Sequence, residues 1–98
     1  MSEKKSKTVG RSMKEEKEYH TRYLRAINNP TRRKILRNLK SGCKTITDLK
    51  SNTGLNTTIL KWHLDILEHG FCVEKDIKNG DIAYKLTQEG EVVNYLDR

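Results

Sequence analysis

Thr57, Thr58, Lys61 and Trp62 follow one another closely near the middle of the 98-residue chain. Two hydroxyls and an ammonium at helical spacing form a polar surface with donors, acceptors and methyl groups. That set suits recognition by hydrogen bonding more than bond-breaking chemistry. A lysine can donate to guanine O6 or N7, and a threonine methyl can pack on a thymine methyl. Trp62 has two readings, packing on sugar-phosphate or covering Ile66 at the helix edge. The other residue types with chemical potential are scattered. His20, His63 and His69 share no metal-ligand spacing, and Cys43 and Cys72 lack any CxxC pattern, which gives a structural zinc site no support. His63 falls among apolar positions and reads as a packed, hydrogen-bonded histidine. Free thiols are the default for the cysteines. A disulfide between them is the alternative, unusual in the cytosol of a mesophile. No glycine-rich phosphate loop follows a strand, and no nucleophile stands with a base. The expectation is a chain that is not an enzyme and holds no metal or cofactor.

The polar residues need a helix to present them. Asn56 is a suitable N-cap for a helix over 56–69. Stepping about 100° per residue from Leu60 puts Ile59, Leu60, His63, Leu64, Ile66 and Leu67 on one arc. Thr58, Lys61, Asp65 and Glu68 fall on the opposite arc, with Thr57 and Trp62 at its edges. One face is for burial, and the other begins with hydroxyls and a cation. A shorter helix precedes it, Asp48 to Thr53, with Thr47 as the expected cap and Asp48 favouring the positive helix end. Gly54 stands where a left-handed residue ends a helix cheaply. Leu49 and Leu55 flank the turn and are expected to pack against Leu60 and Leu64. Two helices joined by a short glycine-containing turn make a helix-turn-helix unit.

These residues carry a resemblance. Thr47-Asp48-Leu49, Gly54-Leu55-Asn56, Lys61-Trp62-His63-Leu64 and Gly70-Phe71 resemble the signature of ArsR-like winged helix-turn-helix transcription regulators. The segment from Ala26 to Leu36, AINNPTRRKIL, resembles the same family's opening helix. The likeness runs from about Tyr23 through the hairpin to Gly90. Lys50 stands where the family usually has a small residue, Lys61-Trp62 replaces a more typical Ser-Arg pair, and the family's metal-binding cysteine pair is absent. The resemblance implies a winged helix that binds duplex DNA, with a role in dimerisation for a helix over Lys14 to Asn28, whose alternative is packing on its own domain alone.

Composition agrees with a polyanionic partner. The net charge is +7, and 34% of residues are charged against 34% hydrophobic. Tyr19 to Leu64 holds ten Lys or Arg and one acid, whereas Asp65 to Arg98 holds four basic and eight acidic residues. Charge focused on the helix-turn-helix region is the electrostatic footprint of a nucleic-acid surface; a merely soluble basic face is the alternative. The length fits one domain with a small core, which leans on a partner subunit. No apolar run approaches the ~20 residues of a membrane span, and no apolar signal core opens the chain. A cytoplasmic protein without membrane contact is expected.

Residues 1–13 are polar, basic and aperiodic, and read as a flexible tail. Residues 14–98 then form the winged-helix domain with its N- and C-terminal helices. A helix is predicted over Lys14 to Asn28, with Tyr19, Tyr23, Leu24 and Ile27 at helical spacing. Asn29-Pro30 starts the next, Pro30 to Lys40. It buries Ile35, Leu36 and Leu39 and exposes Arg32, Arg33 and Arg37, which either meet phosphates or form a solvated face. Cys43 to Ile46 reads as a minimal strand. Phe71 to Ile77 and Asp81 to Leu86 form a hairpin about an Asn79-Gly80 turn. Counting back from the turn pairs Ile77 with Ile82, Lys75 with Tyr84 and Val73 with Leu86, and Glu74 with Lys85 on the other face. Thr87 is expected to cap a last helix, Gln88 to Asp97, in which Gly90 is a close-packing site. The apolar residues of that helix call for a surface, either a two-fold partner's helices or the N-terminal helix of the same chain.

The fold expected is mainly α with a small β-hairpin, a winged helix-turn-helix. The function expected is sequence-specific recognition of double-stranded DNA by a homodimer joined through its N- and C-terminal helices. Thr57, Thr58, Lys61 and Trp62 face the major groove; Lys50, Arg32, Arg33, Lys78 and Asn79 face the backbone or the flanking groove. The alternative is a winged helix used as a protein-interaction module of the transcription machinery, since the fold hosts both. RNA binding is weaker, because the hairpin offers only Phe71 and Tyr84 for stacking.

Overall fold

A computed structural model describes residues 13–78 and 80–93, with Lys78 described by its backbone. Four helices, α1 Met13–Ile27, α2 Pro30–Lys40, α3 Ile46–Thr53 and α4 Thr57–His69, precede a hairpin of β1 Val73–Lys78 and β2 Asp81–Leu86. A 3-10 turn, Glu89–Val92, follows. The expected tail falls almost wholly on residues 1–12, outside the described residues.

Local chemistry accounts for most boundaries. The Asn29 side chain accepts from the Arg32 amide at 3.0 Å, and Pro30 occupies the first turn, where a missing N–H costs nothing. Asn56 repeats the device on α4, accepting from the Ile59 amide at 2.8 Å. Gly54, at φ 77°, closes α3 in the left-handed conformation. α3 begins earlier than expected. Thr45, rather than Thr47, is its cap and accepts from the Asp48 amide at 3.1 Å. The reason is tertiary: Thr45 pairs with Ala83, and the Tyr84 amide donates to the Lys44 carbonyl at 2.7 Å. The linker is thus held against β2, and α3 starts as the chain leaves it.

The hairpin has the register read from the turn: Val73 opposite Leu86, Glu74 opposite Lys85, Lys75 opposite Tyr84 and Ile77 opposite Ile82. Its first strand starts at Val73, because Phe71 and Cys72 serve in the link from α4. Phe71 has φ 69°, a left-handed conformation uncommon outside glycine. Its side chain explains the position. The ring stacks on Tyr19 with centroids 4.6 Å apart, and the Arg22 guanidinium lies 4.6 Å from the Tyr19 ring and 4.7 Å from the Phe71 ring. Such contacts offset local backbone strain.

The core joins Ile35, Leu36 and Leu39 of α2, Leu49 of α3 and Leu60, Leu64 and Leu67 of α4 with Ala26, Val73, Tyr84 and Val93. α1 lies so close to the end of α4 that a Cβ on Gly70 would sit 2.6 Å from Ala26 Cβ and 2.8 Å from the Arg22 carbonyl oxygen.

The C-terminal segment differs from expectation. Its start, Glu89–Val92, is a 3-10 turn rather than an α-helix from Gln88; Val93 is helical, and residues 94–98 lie outside the described residues. Thr87 does act at its start. Its hydroxyl donates to the Phe71 carbonyl and accepts from the Gly90 amide at 3.1 Å. Gly90 packs directly on the Cys72 carbonyl, where no Cβ fits. The Tyr23 hydroxyl donates to the Glu89 carbonyl at 3.4 Å, and Val93 is buried. This stretch therefore packs on its own chain, which holds it in a tighter turn than helix propensity alone favours.

Candidate nucleic-acid interface

The site is the outer face of α4 and the elements that hold it. The inner face is fixed by Leu60, Leu64 and Leu67, all fully buried, and by His63. The turn from α3 is tied twice: the Thr53 hydroxyl donates to the Leu49 carbonyl at 2.6 Å and accepts from the Leu55 amide at 3.2 Å. With that side anchored, Thr58, Lys61, Trp62 and Asp65 are exposed and Thr57 is half-buried. Trp62 keeps 54% of its surface open and meets the His63 ring edge-on at 4.9 Å. Of the four residues expected to read bases, Thr58, Lys61 and Trp62 are thus open and Thr57 is partly covered. Lys50 is exposed on α3 nearby in sequence. Arg33 is half-buried on α2. The Lys78 side chain and Asn79 lie outside the described residues.

Two expectations need correction. Ile59 belongs to the exposed face, not the buried arc, with 41% of its surface open. It stands one residue from Leu60, at the flank of the arc, and a helical wheel cannot tell where the covering elements stop. Arg32 is buried, with 6% exposure, and does not form part of an exposed arginine face. Its Nε donates to the Ala26 carbonyl at 2.9 Å and an Nη to the Arg25 carbonyl at 2.9 Å. These are carbonyls of the last turn of α1, which lack helical partners. The other Nη lies 3.2 Å from His63 Nδ1 on α4. Arg32 thereby caps one helix and holds another. The cue in the sequence is its place at the start of α2, three residues after a cap and five after the end of α1. Burial, and then the charge of Arg32, hold the His63 imidazole below its ordinary pKa. His63 is the packed, hydrogen-bonded histidine expected. Cys43 and Cys72 are both free thiols.

The arrangement offers hydrogen-bond donors, methyl groups and positive charge on a rigid convex helix. Among the described residues no group of three His, Cys, Asp or Glu could hold a metal. No helix among them is long and apolar enough to cross a membrane.

Residues 29–69, from the α2 cap to the end of α4, match the model of the arsR family of bacterial regulatory proteins. Over that span the chain is similar to the arsR family, and its fold is a winged helix-turn-helix. Solved structures share this ArsR-like architecture. One is a homodimeric winged helix-turn-helix DNA-binding domain from Mycobacterium bovis, a possible ArsR-family transcriptional regulator. It is 25% identical, with a TM-score of 0.72 over 89% of this chain and 82% of that one. NolR from Sinorhizobium fredii is 26% identical, with a TM-score of 0.71 over 85% of each chain. Bordetella bronchiseptica BpsR, whose DNA binding is regulated by 6-hydroxynicotinic acid, is 11% identical with a TM-score of 0.67. The ArsR-like chain spans 64% of BpsR's length, and that likeness is one of fold alone. A search of curated proteins finds no match.

Proposed function

We propose that this ArsR-like chain is a sequence-specific, double-stranded DNA-binding transcription regulator that works as a homodimer. The observation that carries the reading is the division of α4. Leucines lock one face to the core, while Thr58, Lys61 and Trp62 stand open on the other. Lys61 donates to guanine edges, Thr57 and Thr58 contact bases and thymine methyls, and Trp62 packs on sugar-phosphate. Ile59 adds an apolar contact at the same end of the helix. Lys50 and Arg33 meet phosphates, and Lys78 and Asn79 at the hairpin tip reach the flanking backbone. Arg32 is left out of this set because its donors are committed inside the domain. The homodimer follows the Mycobacterium bovis domain, with α1 and the C-terminal segment as the joining surface. Two α4 helices then read half-sites about one duplex turn apart, ~34 Å.

The test is fluorescence anisotropy with selected and random duplexes over a salt series. Lys61→Ala is expected to cost about 1–3 kcal/mol on the selected sequence and little on random DNA. Lys50→Ala is expected to weaken all duplexes and lower the salt slope by about one. Equal losses on both duplexes for Lys61→Ala would contradict its base-reading role. Absence of binding at low salt would favour the protein-interaction alternative, for which the open surface of Trp62 and Ile59 is the docking candidate. Light scattering that gives a monomer at high concentration would remove the dimer.

A further inference from the structure

We propose that Arg32 and His63 form a positioning link for DNA recognition, one that fixes the recognition helix α4 against the α1–α2 junction and holds only while His63 is neutral. The inference rests on the DNA-binding reading for its functional consequence, and on the geometry alone for the link.

A guanidinium nitrogen can only donate. The 3.2 Å approach of the Arg32 Nη to His63 Nδ1 therefore makes Nδ1 the acceptor and leaves the ring proton on Nε2. The same guanidinium donates to the Ala26 and Arg25 carbonyls. One planar group thus joins three helices: the end of α1, the start of α2 and the second turn of α4. Arg32 and His63 are both buried, at 6% and 7% exposure, so water does not readily replace these bonds. On α4, His63 directly follows Lys61 and Trp62, and its ring meets the Trp62 indole. Any shift of His63 moves the residues that face DNA.

Protonation of Nδ1 removes the acceptor and sets an imidazolium against a guanidinium. Besides burial, Arg32 from α2 is the charged group that acts on His63; burial, and then Arg25 from α1, act in turn on Arg32. Cys72, packed beyond Arg32, is a neutral thiol pushed up by burial to about 12 and offers no compensating charge at physiological pH. Asp65 on α4 itself is exposed. The protonated pair must separate, and the population able to present α4 correctly falls. A basic protein ordinarily gains affinity for DNA on acidification, because acid adds positive charge to a surface that meets phosphates. A fall in affinity toward acid pH is therefore diagnostic.

Three proteins are to be compared on one duplex from pH 7.5 to pH 5: wild type, His63→Asn and Arg32→Lys. The introduced asparagine would place an oxygen acceptor near the Nδ1 position and does not titrate. Wild-type affinity is expected to fall by about tenfold for each pH unit below the His63 titration. His63→Asn is expected to hold or gain affinity over the same range. Arg32→Lys, which cannot serve three acceptors with one fork, is expected to bind more weakly at pH 7.5 and to lose the acid-side fall. Parallel profiles for wild type and His63→Asn overturn the proposal. Nitrogen-15 NMR of the free full-length wild type reads the link directly. An Nε2–H tautomer whose titration moves the Leu60 to Leu67 amides supports it. An Nδ1–H tautomer, or a His63 titration that leaves those amides still, overturns it. If wild type binds no duplex at pH 7.5 and low salt, the DNA-binding reading fails, and the NMR result decides the link on its own.

Discussion

Gly70→Ala tests how tightly α1 is seated on the recognition helix. Gly70 has φ −92° and ψ 12°, which alanine adopts freely, so the backbone raises no objection. The objection is steric. A Cβ would lie 2.6 Å from Ala26 Cβ, 2.8 Å from the Arg22 carbonyl and 3.3 Å from the Ile66 carbonyl. Ordinary carbon contacts sit at about 3.5–4.0 Å, so α1 must retreat by roughly 1 Å, and such a gap forfeits a quarter to a half of the dispersion well along the joint. Overpacking of this kind costs about 1–3 kcal/mol, and a backbone carbonyl among the clashing atoms puts it near 3. The stiffer unfolded chain returns about 0.4–1 kcal/mol. The net expectation is about 2 kcal/mol of destabilisation, or about 8–16 °C in Tm for a chain of this size. Urea denaturation measures it. Ala26→Gly removes the nearest atom but leaves the Arg22 carbonyl, so the double variant is expected to recover about half the loss beyond additivity. A Gly70→Ala protein as stable as wild type, or a cycle without coupling, would refute the close α1–α4 joint.

Asn56→Ala removes the side-chain acceptor of the Ile59 amide and is expected to cost about 1 kcal/mol in urea melts, with faster amide exchange in the first turn of α4. Native Cys72, buried and with its thiol thereby pushed up to about 12, is expected to resist thiol reagents at pH 8 and to react fully in denaturant; comparable rates in both states would contradict its burial. The depressed His63 pKa means that the unfolded chain takes up that proton first. Its contribution to stability is therefore complete well above pH 6.5 and is lost as pH falls through 6.5 toward the folded value. Chemical melts from pH 7.5 to pH 5 are expected to show a fall in wild type that His63→Asn reduces.

Much of the framework was legible because it depends on local chemistry. Asn29-Pro30, Gly54 and Asn56 mark their helix ends through bonds or dihedrals made within three or four residues. The hairpin register follows from counting outward from Asn79-Gly80, since a period of two leaves few alternatives once one face is apolar. The arc of Leu60, His63, Leu64 and Leu67 was readable from the helical period of about 3.6 residues, and so was the open surface of Thr58 and Lys61, with Trp62 at its edge.

What the sequence left open depended on neighbours distant along the chain. Thr45 and Thr47 can each cap a helix; the bridge from Thr45 to Ala83 selects the first. Ile59 looks like a core residue until the covering elements are seen to stop short of it. Thr87 and Gly90, clamped between Phe71 and Cys72, make the start of the C-terminal stretch, Glu89–Val92, a 3-10 turn. Arg32 is the sharpest case. An arginine at the start of a helix in a basic chain reads as a surface charge. It turns inward because the last carbonyls of α1 need donors and His63 supplies a third acceptor beside them. The sequence by itself determined the elements, their ends and the helix face offered outward. The tertiary structure alone decided which cations remain free to meet a partner and which are spent on holding the helices together, because an arginine's fate depends on which unpaired carbonyls the fold brings within its reach.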